Sequence, residues 1–309
     1  MINICGGGET LLPPEIIGYT KALLEEGHYV MIVTNGIFSK RIDQLLNFDD
    51  KLLDKLFFKF SYHYLQLEEK GLLDKFFDNV LKVHHSNASF TLELMPSDEL
   101  IPYIERVKSI SKEKLGTISH VTVGRDERKD EKYGSLPILT KLDQSEYVKI
   151  WNQFDSELFR FKMDIFEIKR KEFCYAGDWS FVYNVGTGRM SQCYSSFLTQ
   201  NITDDPTKNI NFLAVGNNCT QHHCKNGHAF LGLGNIPNLS APTYAAQRNN
   251  FLDERRDSLK PIMKQFMESK LYESNNEYST IRKIKTNLEV NKLRVMSKLK
   301  RTLNIHNEK

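Results

Sequence analysis

The chain has 309 residues, 40% of them hydrophobic and 26% charged, with a formal net charge of +3. That length suits about two domains of ~100 to 200 residues each, with ample apolar material for a core. No run of about 18 apolar residues is present, which excludes an ordinary spanning helix, and the small net charge carries no specific nucleic-acid signal.

The chain opens on Ile2-Asn3-Ile4-Cys5, a short apolar run, followed by Gly6-Gly7-Gly8-Glu9 and then Pro13-Pro14. An amphipathic helix is expected over about Glu15 to Gly27, so the opening reads as strand, backbone-exposing turn and helix. Three glycines strip every Cβ from the strand's carboxyl end, and Glu9 adds a negative charge able to accept hydrogen bonds from a ligand ammonium. The same residues also make a plain turn with a solvent-facing glutamate. Neither a dinucleotide G-x-G-x-x-G nor a phosphate loop with its Lys-Ser/Thr is present. The start has no basic n-region or apolar h-region, so a cytoplasmic protein is expected.

Strands follow at Tyr29–Val33, Lys55–Ser61, Ser89–Leu94 and His120–Arg125, with helices at Ile42–Leu46, Gly71–Ser86 and Glu99–Lys108. This alternation predicts an α/β fold with parallel strands and right-handed crossovers. In such folds the loops beyond strand carboxyl ends carry the chemistry, and Glu9, Asn35, Ser61, His63, Glu93 and Arg125 all fall there. Ser61 reads equally as a strand-end cap and His63 as a partly buried histidine. Glu93 shares a strand face with Thr91 and, if buried, needs a partner.

Residues 125–143 form a charge-rich connector that reads as a solvated loop, and Ser145–Lys169 reads as one long helix with an aromatic packing stripe (Tyr147, Trp151, Phe154, Leu158, Phe161) docking one domain on the next. Four of the five cysteines, Cys174, Cys193, Cys219 and Cys224, lie within about fifty residues, and in a cytosolic protein such a cluster binds metal more often than it forms disulfides. A hairpin around Asn184–Gly188 brings Cys174 beside Cys193, while Cys219 and Cys224 share a polar, glycine-bounded loop. Four thiolates suit tetrahedral zinc or a [4Fe-4S] cluster. Spacing does not choose between them, and His222 and His223 keep a mixed-ligand zinc site open. Two disulfides or four unrelated buried cysteines are the plain alternative. Beyond Pro242 the chain turns helical, with Arg248–Leu271 the clearest segment, and residues 282–309 hold nine Lys or Arg against two Glu, a solvated basic helix.

Gly6-Gly7-Gly8-Glu9-Thr10-Leu11-Leu12, with Ala22–His28 and Val33-Thr34-Asn35-Gly36, resembles the second and third strand units of the radical S-adenosylmethionine enzymes. Cys174-x13-Gly188-x4-Cys193 resembles the opening of their auxiliary-cluster extensions, the SPASM and twitch domains. The resemblance implies an incomplete open (β/α)6 partial TIM barrel starting at strand 2, then a small cysteine-rich twitch-like module and a helical C-terminal tail. The domains implied are 1–143, a linking helix 144–170, an auxiliary-cluster module 171–240 and a basic tail 241–309.

By the same resemblance Gly7, Gly8 and Glu9 receive the methionine end of S-adenosylmethionine. Asn35, Ser61, His63, Glu93 and Arg125 line the cofactor and substrate cleft. Cys174, Cys193, Cys219 and Cys224 hold one auxiliary [4Fe-4S] cluster, with zinc as the alternative. The substrate is a peptide, sugar or small molecule, and the electron comes from an external one-electron donor.

Two departures qualify this. Thr10 replaces the proline common after the glutamate, and the family's Cys-x3-Cys-x2-Cys loop is absent, since Cys5 alone does not stand in for it. The expectation is therefore a fragment with a late start, or a non-catalytic zinc- or iron–sulfur-binding scaffold that kept the fold. In either case this polypeptide alone is inactive.

Overall fold

The structure is a computed structural model describing residues 1–126, 136–194, 198–205, 207, 213–252 and 257–307. The chain forms two compact units: Met1–Asp130 with Leu136–Met163 and Pro242–Glu268, and Glu131–Ser135 with Asp164–Ala241 and Ser269–Lys309.

The first unit is mixed α/β around a parallel five-stranded sheet. In chain order it runs β1 (Ile2–Ile4), α1 (Ile16–Glu25), β2 (Val30–Thr34), α2 (Ser39–Leu46), α3 (Asp50–Leu53), β3 (Leu56–Tyr62), α4 (Tyr64–Glu69), α5 (Leu73–His84), β4 (Ser89–Leu94), α6 (Ile104–Leu115) and β5 (His120–Val121). The strand order is the chain order, β1-β2-β3-β4-β5, and every pair is parallel, so all carboxyl ends lie along one edge. Helix α1 starts just after Pro13-Pro14. It ends in a left-handed glycine, Gly27 at φ +87, with His28 N–H donating to Leu23 O and Gly27 N–H to Leu24 O, a Schellman stop.

Strand parity explains the core. Phe58, Phe60 and Tyr62 of β3 and Phe90, Leu92 and Leu94 of β4 pack with Phe76, Phe77, Val80 and Val83 of α5 and with Ile104 and Val107 of α6. Each buried aromatic contributes about 1.5–3 kcal/mol. The alternate residues, Phe57, Lys59 and Ser61 on β3 with Ser89, Thr91 and Glu93 on β4, share the opposite face through their register.

The single helix expected over 145–169 is two: α7 (Gln144–Trp151) and α8 (Glu157–Asp164). Asp155 adopts φ +49, which breaks the run, and Ser156 restarts it by accepting from Phe159 N–H through its hydroxyl. Tyr147, Trp151, Phe154 and Phe159 belong to the core around the sheet.

In the second unit β6 (Val182–Asn184), β7 (Arg189–Ser191) and β8 (Thr199–Asn201) form an antiparallel sheet, followed by α9 (Gly227–Phe230). The hairpin turns at Asn184–Gly188 as expected, with Gly188 at φ +66.

The chain then returns to the first unit with α10 (Tyr244–Arg248) and α11 (Pro261–Glu268), where one helix over 248–271 was expected. Asn249 and Asn250 leave the helix because β5 is too short to cover β4. Asn250 Oδ1 accepts from Leu92 N–H, and Ser258 O accepts from Phe90 N–H. The second unit closes with α12 (Leu271–Ser274) and α13 (Thr280–Asn307). No described helix is long and apolar enough to cross a membrane. Residues 127–135 of the charge-rich connector lie outside the described residues.

Candidate functional site

The turn after β1 is open. Gly6, Gly7 and Gly8 are exposed, none has a positive φ, and a Cβ built on Gly7 or Gly8 meets no atom within 4 Å. Neither backbone conformation nor packing by the protein demands glycine there, so the bare peptide groups face free space. Glu9 is pinned beside them. Its Oε1 accepts from Thr34 Oγ1 at 2.6 Å and Leu11 N–H at 3.0 Å, and its Oε2 accepts from Asn35 N–H at 2.8 Å. The solvent-facing alternative is therefore wrong: the carboxylate ties the turn to the end of β2. A carboxylate has about four acceptor sites, and Oε2 keeps one to spare.

Asn35 serves the turn itself, accepting from Ile37 N–H through Oδ1 at 3.3 Å. Gly36 is required by packing and conformation together: it sits at φ +75, and a Cβ would lie 2.7 Å from Phe76 Cδ2. His63 follows β3 close to Glu9. Burial lowers its pKa, the Lys59 ammonium adds to that, and Glu9 opposes it.

Further along the same edge Glu93 is 7% exposed and has the partners its burial requires. Lys59 Nζ stands 2.7 Å from its Oε1, and Arg248 donates to its Oε2. Ser61 is its register partner on β3. Lys162 on α8 donates to Thr122 Oγ1 and senses the same group of charges. Burial pulls its pKa down to about 7. Glu93 opposes that pull, and Lys59, Arg248 and Arg125 reinforce it.

His120 is buried between Asn249 O, 3.0 Å from Nε2, and Ser156 Oγ, 3.3 Å from Nδ1. A carbonyl only accepts, so Nε2 carries the proton, and burial lowers the ring's pKa to about 4, leaving it neutral.

The structure thus gathers Gly7, Gly8, Glu9, Asn35 and His63 around the ends of β1–β3, and Ser61, Glu93 and Arg125 around the ends of β3–β5, with Lys59 between. Lys59, Thr122, Lys162 and Arg248 are the members the sequence reading missed. Lys59 was legible as the lone charge in an apolar strand, on the same parity as Ser61 and His63. Lys162 and Arg248 sit in unremarkable helical stretches far along the chain.

In the second unit Cys174 pairs with Gly216 through two backbone hydrogen bonds, N–H to O at 3.1 Å and O to N–H at 3.0 Å, which draws it to the Cys219 loop. Gly227 N–H donates to Cys224 O at 3.0 Å as α9 begins. All four residues are half-buried cysteines outside any disulfide. Burial pushes Cys174 up to about 12, with Cys193 and Cys219 adding to the rise. Cys224 is raised too, by burial first and then by Cys174, Cys219 and Cys193. Cys224 therefore lies within electrostatic reach of the other three, and Cys174 within reach of Cys193 and Cys219. Among the described residues, however, no three His, Cys, Asp or Glu side chains form a group that could hold a metal ion. The His223 ring lies tilted at 35° to that of Phe166, centroids 4.7 Å apart.

No protein-family model and no curated protein matches this sequence. Among solved structures, the crystal structure of Streptococcus suis SuiB bound to S-adenosylmethionine is similar at 15% identity with a TM-score of 0.42, over 65% of this chain and 52% of that one. This chain therefore spans about half the length of that protein.

Proposed function

We propose that this chain binds S-adenosylmethionine in the manner of the radical S-adenosylmethionine enzymes it resembles, with a cysteine-rich unit that carries one auxiliary [4Fe-4S] cluster. The observation that carries the reading is the Gly6–Glu9 turn, where glycines that packing does not require leave open space beside a carboxylate anchored to the end of β2.

In this reading the peptide groups of Gly7 and Gly8 receive the methionine end, and the spare acceptor on Glu9 Oε2 takes its ammonium. Asn35 holds the strand-end turn in place, and His63 borders the same space. Given one electron from a reduced cluster, the bound cofactor would supply radical chemistry that removes a hydrogen atom from substrate. The residues present do not fit the cluster that starts such chemistry, because Cys5 is the one cysteine outside the second unit and is exposed. Cys174, Cys193, Cys219 and Cys224, four half-buried cysteines of the second unit, are the residues that would hold the auxiliary [4Fe-4S] cluster, or zinc in the alternative.

A second reading, a non-catalytic iron–sulfur or zinc scaffold, is supported by α10 and the residues after it. Tyr244 OH reaches Met31 Sδ and Arg248 reaches Glu93, covering part of the sheet's second face.

Equilibrium binding of S-adenosylmethionine to the 309-residue chain separates the two readings. Saturable binding that Gly8→Val weakens at least about tenfold supports the first, since the valine fills the open space without strain. Failure to bind refutes it and leaves the scaffold. Anaerobic reconstitution gives about four irons per chain for the cluster and one zinc for the alternative.

A further inference from the structure

The edge formed by β3, β4 and β5 gathers more positive than negative charge. Around the Glu93 carboxylate stand Lys59, Arg248 and Lys162. Glu93 is shared by the first two. Among the described residues Lys162 makes one hydrogen bond, to Thr122 Oγ1, and no ion pair, although an ammonium has three donors. Arg248, 1% exposed, adds a second deficit, because its buried Nε–H has no acceptor among the described residues. Buried donors without acceptors are rare in native proteins, and the partly exposed Lys162 ammonium keeps two N–H groups with no protein acceptor among the described residues. These two lie on different elements, α8 and α10, and influence each other electrostatically. Lys59, with its side chain 18% exposed, and the partly exposed Lys162 leave the group a path to solvent.

We propose that this edge receives one small oxyanion, a carboxylate or phosphate group carried by the substrate, which Lys162 and Arg248 bind and Thr122 helps to orient. The strand carboxyl edge is where parallel α/β sheets bind ligands. The anion is not the carboxylate of a methionine held at Glu9. That group shares one carbon with its ammonium, whereas β4 lies three strands from β1, about 14 Å at ~4.8 Å per strand. The inference therefore stands independently of the S-adenosylmethionine reading.

The test is calorimetric titration of the full chain with inorganic phosphate and, separately, with acetate at constant ionic strength. One anion per chain is expected, the tighter of the two naming the class of substrate group. Lys162→Met should weaken it at least about tenfold, as removal of one partner of a buried charge contact does. Thr122→Val keeps both charges and should weaken binding severalfold, which preserves the test if Lys162→Met does not fold. Gly8→Val should leave phosphate affinity unchanged, separating this site from the one at β1. Absence of saturable binding of either anion to the wild-type chain, or equal affinity in wild type and in both edge variants, overturns the proposal.

Discussion

Replacing Lys162 with methionine removes a cation that the fold holds at a disadvantage, and the effect carries a pH signature. The lysine has an ordinary value of 10.5 and about 7 in the folded chain, with burial the leading cause. Below about pH 7 both folded and unfolded chains hold the proton, so the whole penalty is felt. Between about 7 and 10.5 the unfolded chain holds more proton than the folded one, so stability rises with pH. Above that window the penalty is gone. At about 1.4 kcal/mol per pH unit of displacement the full value is roughly 4–5 kcal/mol, and solvent reaching the partly exposed side chain reduces it to roughly 2–3 kcal/mol. Loss of the hydrogen bond to Thr122 works the other way by about 1 kcal/mol and does not vary with pH. Urea unfolding of both proteins, in buffer poor in oxyanions, reads the difference between them, and other groups that titrate in both chains cancel. The methionine variant's advantage should fall by roughly 2 kcal/mol between about pH 6.5 and about pH 9.5. A difference that stays flat across that range refutes the claim that Lys162 is a destabilised cation.

Three other substitutions probe the same edge. Gly36→Ala places a Cβ 2.7 Å from Phe76 Cδ2 at a left-handed φ, so thermal denaturation should show a loss of about 2–4 kcal/mol; an unchanged midpoint means the turn is not as tight as described. Glu9→Gln keeps an acceptor for Thr34 and Leu11 but sets an amide N–H against Asn35 N–H, which should cost about 1–3 kcal/mol and speed hydrogen exchange at Asn35. Protection retained at Asn35 counts against the anchoring role. Glu93→Gln leaves Lys59 and Arg248 buried without their counter-charge and should destabilise by about 3–5 kcal/mol. The triple variant Lys59→Met/Glu93→Leu/Arg248→Met, which removes the whole charge group, should recover most of that loss in the same unfolding assay, and failure to recover it places the damage in packing.

The sheet was legible because each strand is a short apolar run that ends in a turn, and the alternation with helices allows few connections other than right-handed crossovers. Parity within β3 also carried information: Phe58, Phe60 and Tyr62 turn to the helices, and Lys59 and Ser61 turn to the other face. What escaped was either a weak local signal or a nonlocal contact. The break at Asp155 has no Gly or Pro to mark it, and the one clue was Ser156 before Glu157, a helix start inside an aromatic stripe strong enough to mask it. The departure of Asn249 and Asn250 from helix answers a need elsewhere, the unpaired edge of β4 beyond the reach of a two-residue β5. No window of sequence around Asn250 contains that need.

The same distinction explains why the β1 end was easier to read than the β4 end. Gly6–Glu9 and Thr34–Gly36 each sit in one contiguous stretch, so their spacing alone suggests a turn and a strand end. The anion edge draws Lys59, Glu93, Thr122, Lys162 and Arg248 from five separate stretches, and only the tertiary fold brings them together. Glu93 nevertheless exposed part of it in advance. A carboxylate on a strand face requires a cation once buried, and that requirement, followed through the structure, leads first to Lys59 and Arg248 and then to the cation they leave unmatched. If an oxyanion does occupy the edge, it meets the Lys162 ammonium, with which no carboxylate among the described residues forms an ion pair. Phosphate should then stabilise the wild-type chain more than the methionine variant, in proportion to its occupancy.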